Sequence, residues 1–403
     1  MKNTTRTLSL IASVSAAALV AACGGGGGDG AAPGTLSVAM TDAPSCGYDA
    51  VNVTVKKVRV HQSATAADND SGWTDITLDP ARKINLLDLT NGVLAELGQT
   101  SLAPGHYSQM RLVLDANTGS AKANSIVLTT NPSNTTEISL DTPSAVQSGI
   151  KLNHEFDVVS GQRVDLVLDF DACKSIVKKG NSGAYGLKPV VNVIPTALNG
   201  IGGFIDPALL GSHVQVSAQQ NGTIVRSTVP NAKGEFSLAR LVPGNYDVVI
   251  TADDHAATVI GTVPVASTTS IVKVSTDVAP IGLPAAVSGT ISGTALLKPA
   301  SATEVAYVAA KQSFASGPTV TVKYQGADVT SGAYTLSQLP VAAPWFAQYS
   351  ATLPIVFAAQ TTTTPGTGKY RVEASANGYA TQVTTSVDIS SADQLGVAFT
   401  LVP

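Results

Sequence analysis

This sequence is poor in charge. Lysine, arginine, aspartate and glutamate together make 13% of its 403 residues, about half of the ~25% usual for soluble domains. Their balance is −4, so there is no basic footprint of the kind nucleic acid requires. Disorder does not follow from this poverty, because 44% of the residues are hydrophobic and disordered chains combine low hydrophobicity with high net charge. Histidine and cysteine are equally scarce. His61, His106, His154, His213 and His255 stand far apart with no H-x-x-x-H, and no C-x-x-C occurs, which argues against zinc. Neither a G-x-S-x-G elbow nor a G-x-G-x-x-G after a strand is found, so no cofactor is implied and no catalytic residue is assigned. Because triads assemble in space and not in sequence, these absences remove motifs and not enzymes as a class. Long apolar runs are missing too. The longest, Leu8 to Val20, is about 13 residues and is broken by Ser9, Ser13 and Ser15, short of the ~20 a spanning helix needs.

That short run is nevertheless informative. Lys2 and Arg6 precede it, and Val20-Ala21-Ala22-Cys23 follows it; the order is that of a secretory signal. Its last four residues resemble the lipobox of bacterial lipoproteins. The resemblance implies removal of residues 1–22, acylation of Cys23 and membrane attachment through that lipid. Gly24 rather than Asp after the cysteine implies, by the same resemblance, the outer membrane, with the protein facing the periplasm or the surface. Five glycines, Gly24 to Gly28, then lead to Asp29, Gly30, Pro33 and Gly34. Such a stretch is a flexible coil, so residues 23–34 read as a tether. With Cys23 taken by lipid, Cys46 and Cys173 remain as one pair in an oxidising compartment, and a disulfide between them is expected; two free thiols are the alternative.

From Thr35 onward the period is two, the signal of strands. Leu36, Val38 and Met40 alternate up to the turn Thr41-Asp42-Ala43-Pro44, where Asp42 reads as a local turn former. Val51, Val53 and Val55 sit at odd positions but Val58 and Val60 at even ones. A strand cannot change faces without an extra residue, so a β-bulge is expected at Lys56-Lys57. Residues 84–97 are ambiguous and admit a helical turn. Val164, Leu166, Leu168 and Phe170 face one way along a further strand. Asp165, Asp169 and Asp171 would then lie on the other side, as a solvated face or, less simply, a calcium site.

Four segments recur in this order in a bacterial family. They are Thr35-Leu36-Ser37-Val38 to Pro44, Leu102-x-Pro104-Gly105-x-Tyr107 with Arg111-Leu112-Val113-Leu114, Leu168-Asp169-Phe170-Asp171, and Leu187-Lys188-Pro189-Val190. Residues 35–195 thus resemble the lipoprotein domain of unknown function numbered 4382. The resemblance implies a β-sandwich at the envelope and no known activity.

Beyond Asn199 the sequence repeats itself. Gly234-Glu235-Phe236-Ser237-Leu238-Ala239-Arg240-Leu241 is answered by Gly332-Ala333-Tyr334-Thr335-Leu336-Ser337-Gln338-Leu339. Likewise Gly244-Asn245-Tyr246-Asp247-Val248 is answered by Gly368-Lys369-Tyr370-Arg371-Val372, after an insertion at 342–367. Two copies are too few for a solenoid, so two tandem domains are expected, at 199–278 and 283–403. The G-x-F-x-L-x-x-L-x-P-G-x-Y core resembles the carboxypeptidase regulatory-like domain, a transthyretin-like sandwich grouped with carbohydrate-binding-like folds.

The whole reads as an all-β chain of three tandem antiparallel β-sandwich domains behind a lipoprotein signal and tether. A non-catalytic structural or binding module of the cell envelope is the leading expectation. A carbohydrate-binding surface lipoprotein and a hydrolase with a hidden site are the alternatives. A glycan or an envelope or matrix protein is the expected partner, besides the membrane. Within the insertion, Trp345, Phe346 and Tyr349 crowd three aromatics into a chain that is 5% aromatic. They are candidate ligand platforms if the protein binds sugar, and core side chains otherwise.

Overall fold

The computed structural model describes residues 32–42, 47–129, 136–180, 183–195, 199–266, 270–301, 304–315 and 317–403. They form an almost wholly β protein with three hydrophobic cores. None of the described helices is long and apolar enough to cross a membrane.

In the first body, a four-stranded sheet runs Val191–Pro195, Arg163–Phe170, Gly34–Asp42, Ala95–Leu102. Gly34–Asp42 is parallel to Arg163–Phe170 and antiparallel to Ala95–Leu102, so this sandwich is not purely antiparallel. An eight-stranded sheet packs opposite, centred on Tyr48–His61. Along that strand the register slips between Val55 and Lys57 against both neighbours. Lys56 is the extra residue, left exposed, while Val55 and Val58 are both buried. The ambiguous stretch contains a 3-10 turn, Leu86–Leu89, capped by Asn85.

Arg111, in Gln109–Leu114, is only 1% exposed. Its guanidinium donates to the carbonyl of Ala66 and that of Ser148, both at 2.9 Å, and meets Asp68. It also lies 4.7 Å from the Trp73 ring centre, with Arg59 at 4.5 Å. A buried charge is tolerated only when satisfied in this way, and the loop from residue 62 to Trp73 is thereby pinned to the sheet.

The second and third bodies share one topology. In each, the first strand pairs antiparallel with a middle strand and parallel with the last: Gly200–Phe204 with Glu235–Ala239 and Ile271–Lys273, then Ser288–Leu297 with Ala333–Pro340 and Gln394–Leu401. In each, four antiparallel strands cover the other side, in the order Thr223–Thr228, Gln215–Gln220, Gly244–Thr251, Thr258–Val265, and Thr319–Gly326, Tyr307–Ser313, Lys369–Ser375, Gln382–Asp388. The glycines that lead the two repeats occupy one backbone site. Gly234 has φ +80°, and a Cβ there would sit 2.1 Å from the Ile205 carbonyl; Gly332 has φ +68°, and its Cβ would sit 2.8 Å from that of Ala295. Only glycine combines the left-handed backbone with so close an approach.

The insertion does not stay with the third body. Trp345–Gln348 pairs parallel with Thr258–Val265, extending the second body's sheet, and Ala358–Ala359 pairs with it in turn. Ile355 and Phe357 are not part of a strand; they pack half-buried against the second core. An edge strand exposes unpaired peptide groups that attract other chains, and here the neighbouring body covers that edge.

Candidate functional site

All three bodies meet one another through buried or half-buried polar links. Between the first and second, Asn91 takes a left-handed φ of 58°. Its amide donates to the Val229 carbonyl at 2.7 Å, and its Oδ1 accepts from Thr228 Oγ1 at 2.8 Å and from Ser237 N at 3.1 Å. Arg226 pairs with Asp169, and both side chains are at least nine-tenths buried. Arg240, again with positive φ, turns its guanidinium to the Gly92 carbonyl at 3.3 Å. Burial pushes the Asp169 carboxyl up, against the pull of Arg226, and it holds Arg240 down. A cavity of about 10 Å³ lies beside these arginines, about the volume one water needs.

Between the second and third bodies, buried Gln219 pairs with a peptide group like a strand. Its Nε2 donates to the Thr321 carbonyl and its Oε1 accepts from Thr321 N, both at 2.8 Å. The first and third bodies join where Tyr307 Oη donates to the Lys174 carbonyl at 2.6 Å and Lys188 pairs with Glu304 at 2.7 Å. An open cleft of about 710 Å³ lies beside this last junction.

The aspartates at 165, 169 and 171 do not make a solvated face. Asp165 pairs with Arg163 at 2.6 Å near the surface, but Asp169 is buried under Arg226 of the second body. Asp171 lies beyond the strand, capping the helical turn Ala172–Ser175 through Lys174 N at 3.0 Å. Alternation correctly separated these carboxylates from the apolar side chains; it had no view of the body that covers them. Asp42 also reaches beyond its own segment, since its Oδ1 accepts from Ala172 N, 130 residues away; the turn expected after it lies outside the described residues. Among the described residues, no group of three or more His, Cys, Asp or Glu is placed to hold a metal.

Cys23 and Cys46 lie outside the described residues, whereas Cys173 sits in the Ala172–Ser175 turn. Phe346 is buried and stacks on Phe314 with ring centres 4.9 Å apart. Trp345 and Tyr349 are half-buried, Tyr349 against the second core. The insertion's aromatics are thus brought to a junction between bodies and not to one open face. Sequence reasoning missed Asn91, Gln219, Arg226 and Tyr307; the partner of Arg226 is 57 residues away, and those of the other three are more than a hundred residues distant. The one local signal was Asn91-Gly92, a turn dipeptide.

Residues 33–189 match the model of a family described as Domain of unknown function (DUF4382). No curated protein matches the chain. A type II Cohesin-X-Dockerin complex from Acetivibrio cellulolyticus is similar over 22% of this chain and 58% of that one, at 21% identity and a TM-score of 0.19. The Bacillus anthracis TIE protein is similar over 92% and 50%, at 12% identity and a TM-score of 0.16. The major pilin SpaA of Corynebacterium diphtheriae is similar over 91% and 100%, at 13% identity and a TM-score of 0.19. The chain therefore spans about half the length of the first two, and overlays this loose carry no argument about function. Over residues 33–189, less than half of its length, the chain is thus similar to a domain of unknown function.

Proposed function

We propose that this chain is a lipid-anchored cell-envelope protein whose three β bodies act together as a non-catalytic structural or binding module. The observation that supports it is the set of buried or half-buried links joining every pair of bodies: Arg226 with Asp169, Gln219 with Thr321, Tyr307 with Lys174. Such links hold the bodies in one arrangement, a property of use to a scaffold or binding platform. In this reading Cys23 carries the lipid, the glycine-rich segment after it is the leash, and the outer membrane is the site of attachment. A disulfide between Cys46 and Cys173 belongs to the same proposal. Asp42 bonds to Ala172, so the chain leaves that point only four residues before Cys46 and one before Cys173.

Metabolic labelling with a fatty-acid analogue tests the anchor. The wild-type protein takes up label and sediments with membranes, and Cys23→Ser does neither. Label on the Cys23→Ser protein overturns the assignment. Thiol counting on the denatured, unreduced Cys23→Ser protein tests the bridge, and two reactive thiols rule it out.

A further inference from the structure

We propose that the cleft between the first and third bodies binds a carboxylated saccharide. Its volume of about 710 Å³ falls in the range of small-molecule sites, which favour junctions between domains. One wall comes from the first body, with Lys151 and Asn153 at the edge strand Ile150–Leu152 and Asn192 on the edge strand Val191–Pro195. The other comes from the third body, with Glu304, Tyr307 and Asn377.

The lining selects the ligand by what it offers and what it has already used. Lys174 and Lys188 also face the cleft, but each has a carboxylate partner, Asp171 at 2.9 Å and Glu304 at 2.7 Å. Lys151 is exposed and has no ion pair among the described residues. It is the cation left for an anionic ligand. Asn153, Asn192 and Asn377 are exposed, and their side-chain amides have no partner among the described residues. Each amide presents donors and an acceptor together, the complement of vicinal sugar hydroxyls. Neutral sugars are commonly held by stacking, yet the cleft's aromatic is committed: Lys188 lies over the Tyr307 ring at 5.9 Å, and its hydroxyl is bonded to Lys174. No arginine lines the cleft, although the fork of arginine is what best grips phosphate. One ammonium among amides fits a single carboxylate on a polyhydroxylated ring. A peptide strand is disfavoured, because Ile150–Leu152 packs against Val191–Pro195 and a strand between them needs ~4.8 Å on each side.

Calorimetric titration of the full-length protein in detergent micelles tests this, with trigalacturonate as probe and maltotriose and a triglutamate peptide as controls. Trigalacturonate binds and maltotriose binds at least tenfold more weakly. Raising the salt from low to physiological concentration weakens trigalacturonate severalfold, as screening of an exposed charge requires. Lys151→Gln costs about tenfold and Asn192→Ala a few fold, with thermal midpoints unchanged. The proposal is overturned by no trigalacturonate binding, by equal binding of maltotriose or triglutamate, or by indifference to both substitutions. None of these results bears on lipidation, which the Cys23→Ser experiment reads separately.

Discussion

The Tyr370 phenol donates a 2.6 Å hydrogen bond to the carbonyl of Pro340, 30 residues earlier. In the second body, Tyr246 donates to the Val242 carbonyl at 2.7 Å, four residues back. The two carbonyls are the same one. Val242 follows Leu241 as Pro340 follows Leu339, and the insertion separates only the second pair from its tyrosine. In the first body, Tyr107 does the same to Ala103 at 3.1 Å within its own Leu-x-Pro-Gly-x-Tyr. Burial pushes all three phenols up, so each is a neutral donor. The insertion was accommodated without loss of the corner that closes the sandwich.

Tyr370→Phe keeps the ring and removes that bond, leaving the buried carbonyl of Pro340 unsatisfied. A loss of about 1–3 kcal/mol is expected, read as a lower urea midpoint. Tyr107→Phe, at a longer and less buried bond, should lose less. An unchanged midpoint for Tyr370→Phe would mean the bond contributes nothing.

Arg226→Ala should be among the most damaging single changes. It leaves Asp169 charged and buried without its partner, at a cost of about 3–5 kcal/mol. Because burial raises the Asp169 pKa, protonation favours the folded state. That contribution is present at low pH and lost as pH rises through the folded pKa, so the deficit of Arg226→Ala should shrink on acidification. Replacing both partners, Arg226→Met with Asp169→Leu, should recover most of the loss. A double variant as unstable as the single one would show that the pair is not what matters there.

Phe346→Ala should cost about 3–5 kcal/mol as a cavity at the junction of two cores. Gly261→Ala probes the same packing from the other side. Its new Cβ would lie 2.9 Å from the Phe346 ring, so it should also lower the melting temperature. If Phe346→Ala melts within a degree of wild type, the ring is not part of the core.

Asp388 accepts from Ser390 Oγ at 2.6 Å and from Ser390 N at 2.9 Å, with Lys369 at 3.1 Å. The Ser390 hydroxyl, its amide and then Lys369 hold the carboxyl down from 3.8 to about 2. A depressed carboxyl favours folding above its ordinary pKa, and that contribution is lost as pH falls from 3.8 towards 2. NMR titration of the Asp388 carboxyl should give a midpoint near 2, rising on Ser390→Ala. A midpoint at the ordinary value in the wild type would exclude the arrangement.

What the sequence by itself determined was local. Alternation placed the strands, the parity change between Val55 and Val58 located the bulge at Lys56-Lys57, and the repeated glycines and tyrosines matched the shared plan of the second and third bodies. Each follows from periodicity or from a backbone conformation that one residue type alone tolerates. Only tertiary structure decided the rest. Asp169 reads as a surface residue because alternation sets it opposite the apolar side chains, and Asp42 as a turn residue because Ala43-Pro44 follows it, yet they meet partners 57 and 130 residues away. The parallel pairing of Gly34–Asp42, the transfer of Trp345–Gln348 to the second body's sheet and the cleft between the first and third bodies join segments far apart along the chain. A side chain's surroundings depend on which distant surfaces cover it, and no pattern along the chain records that.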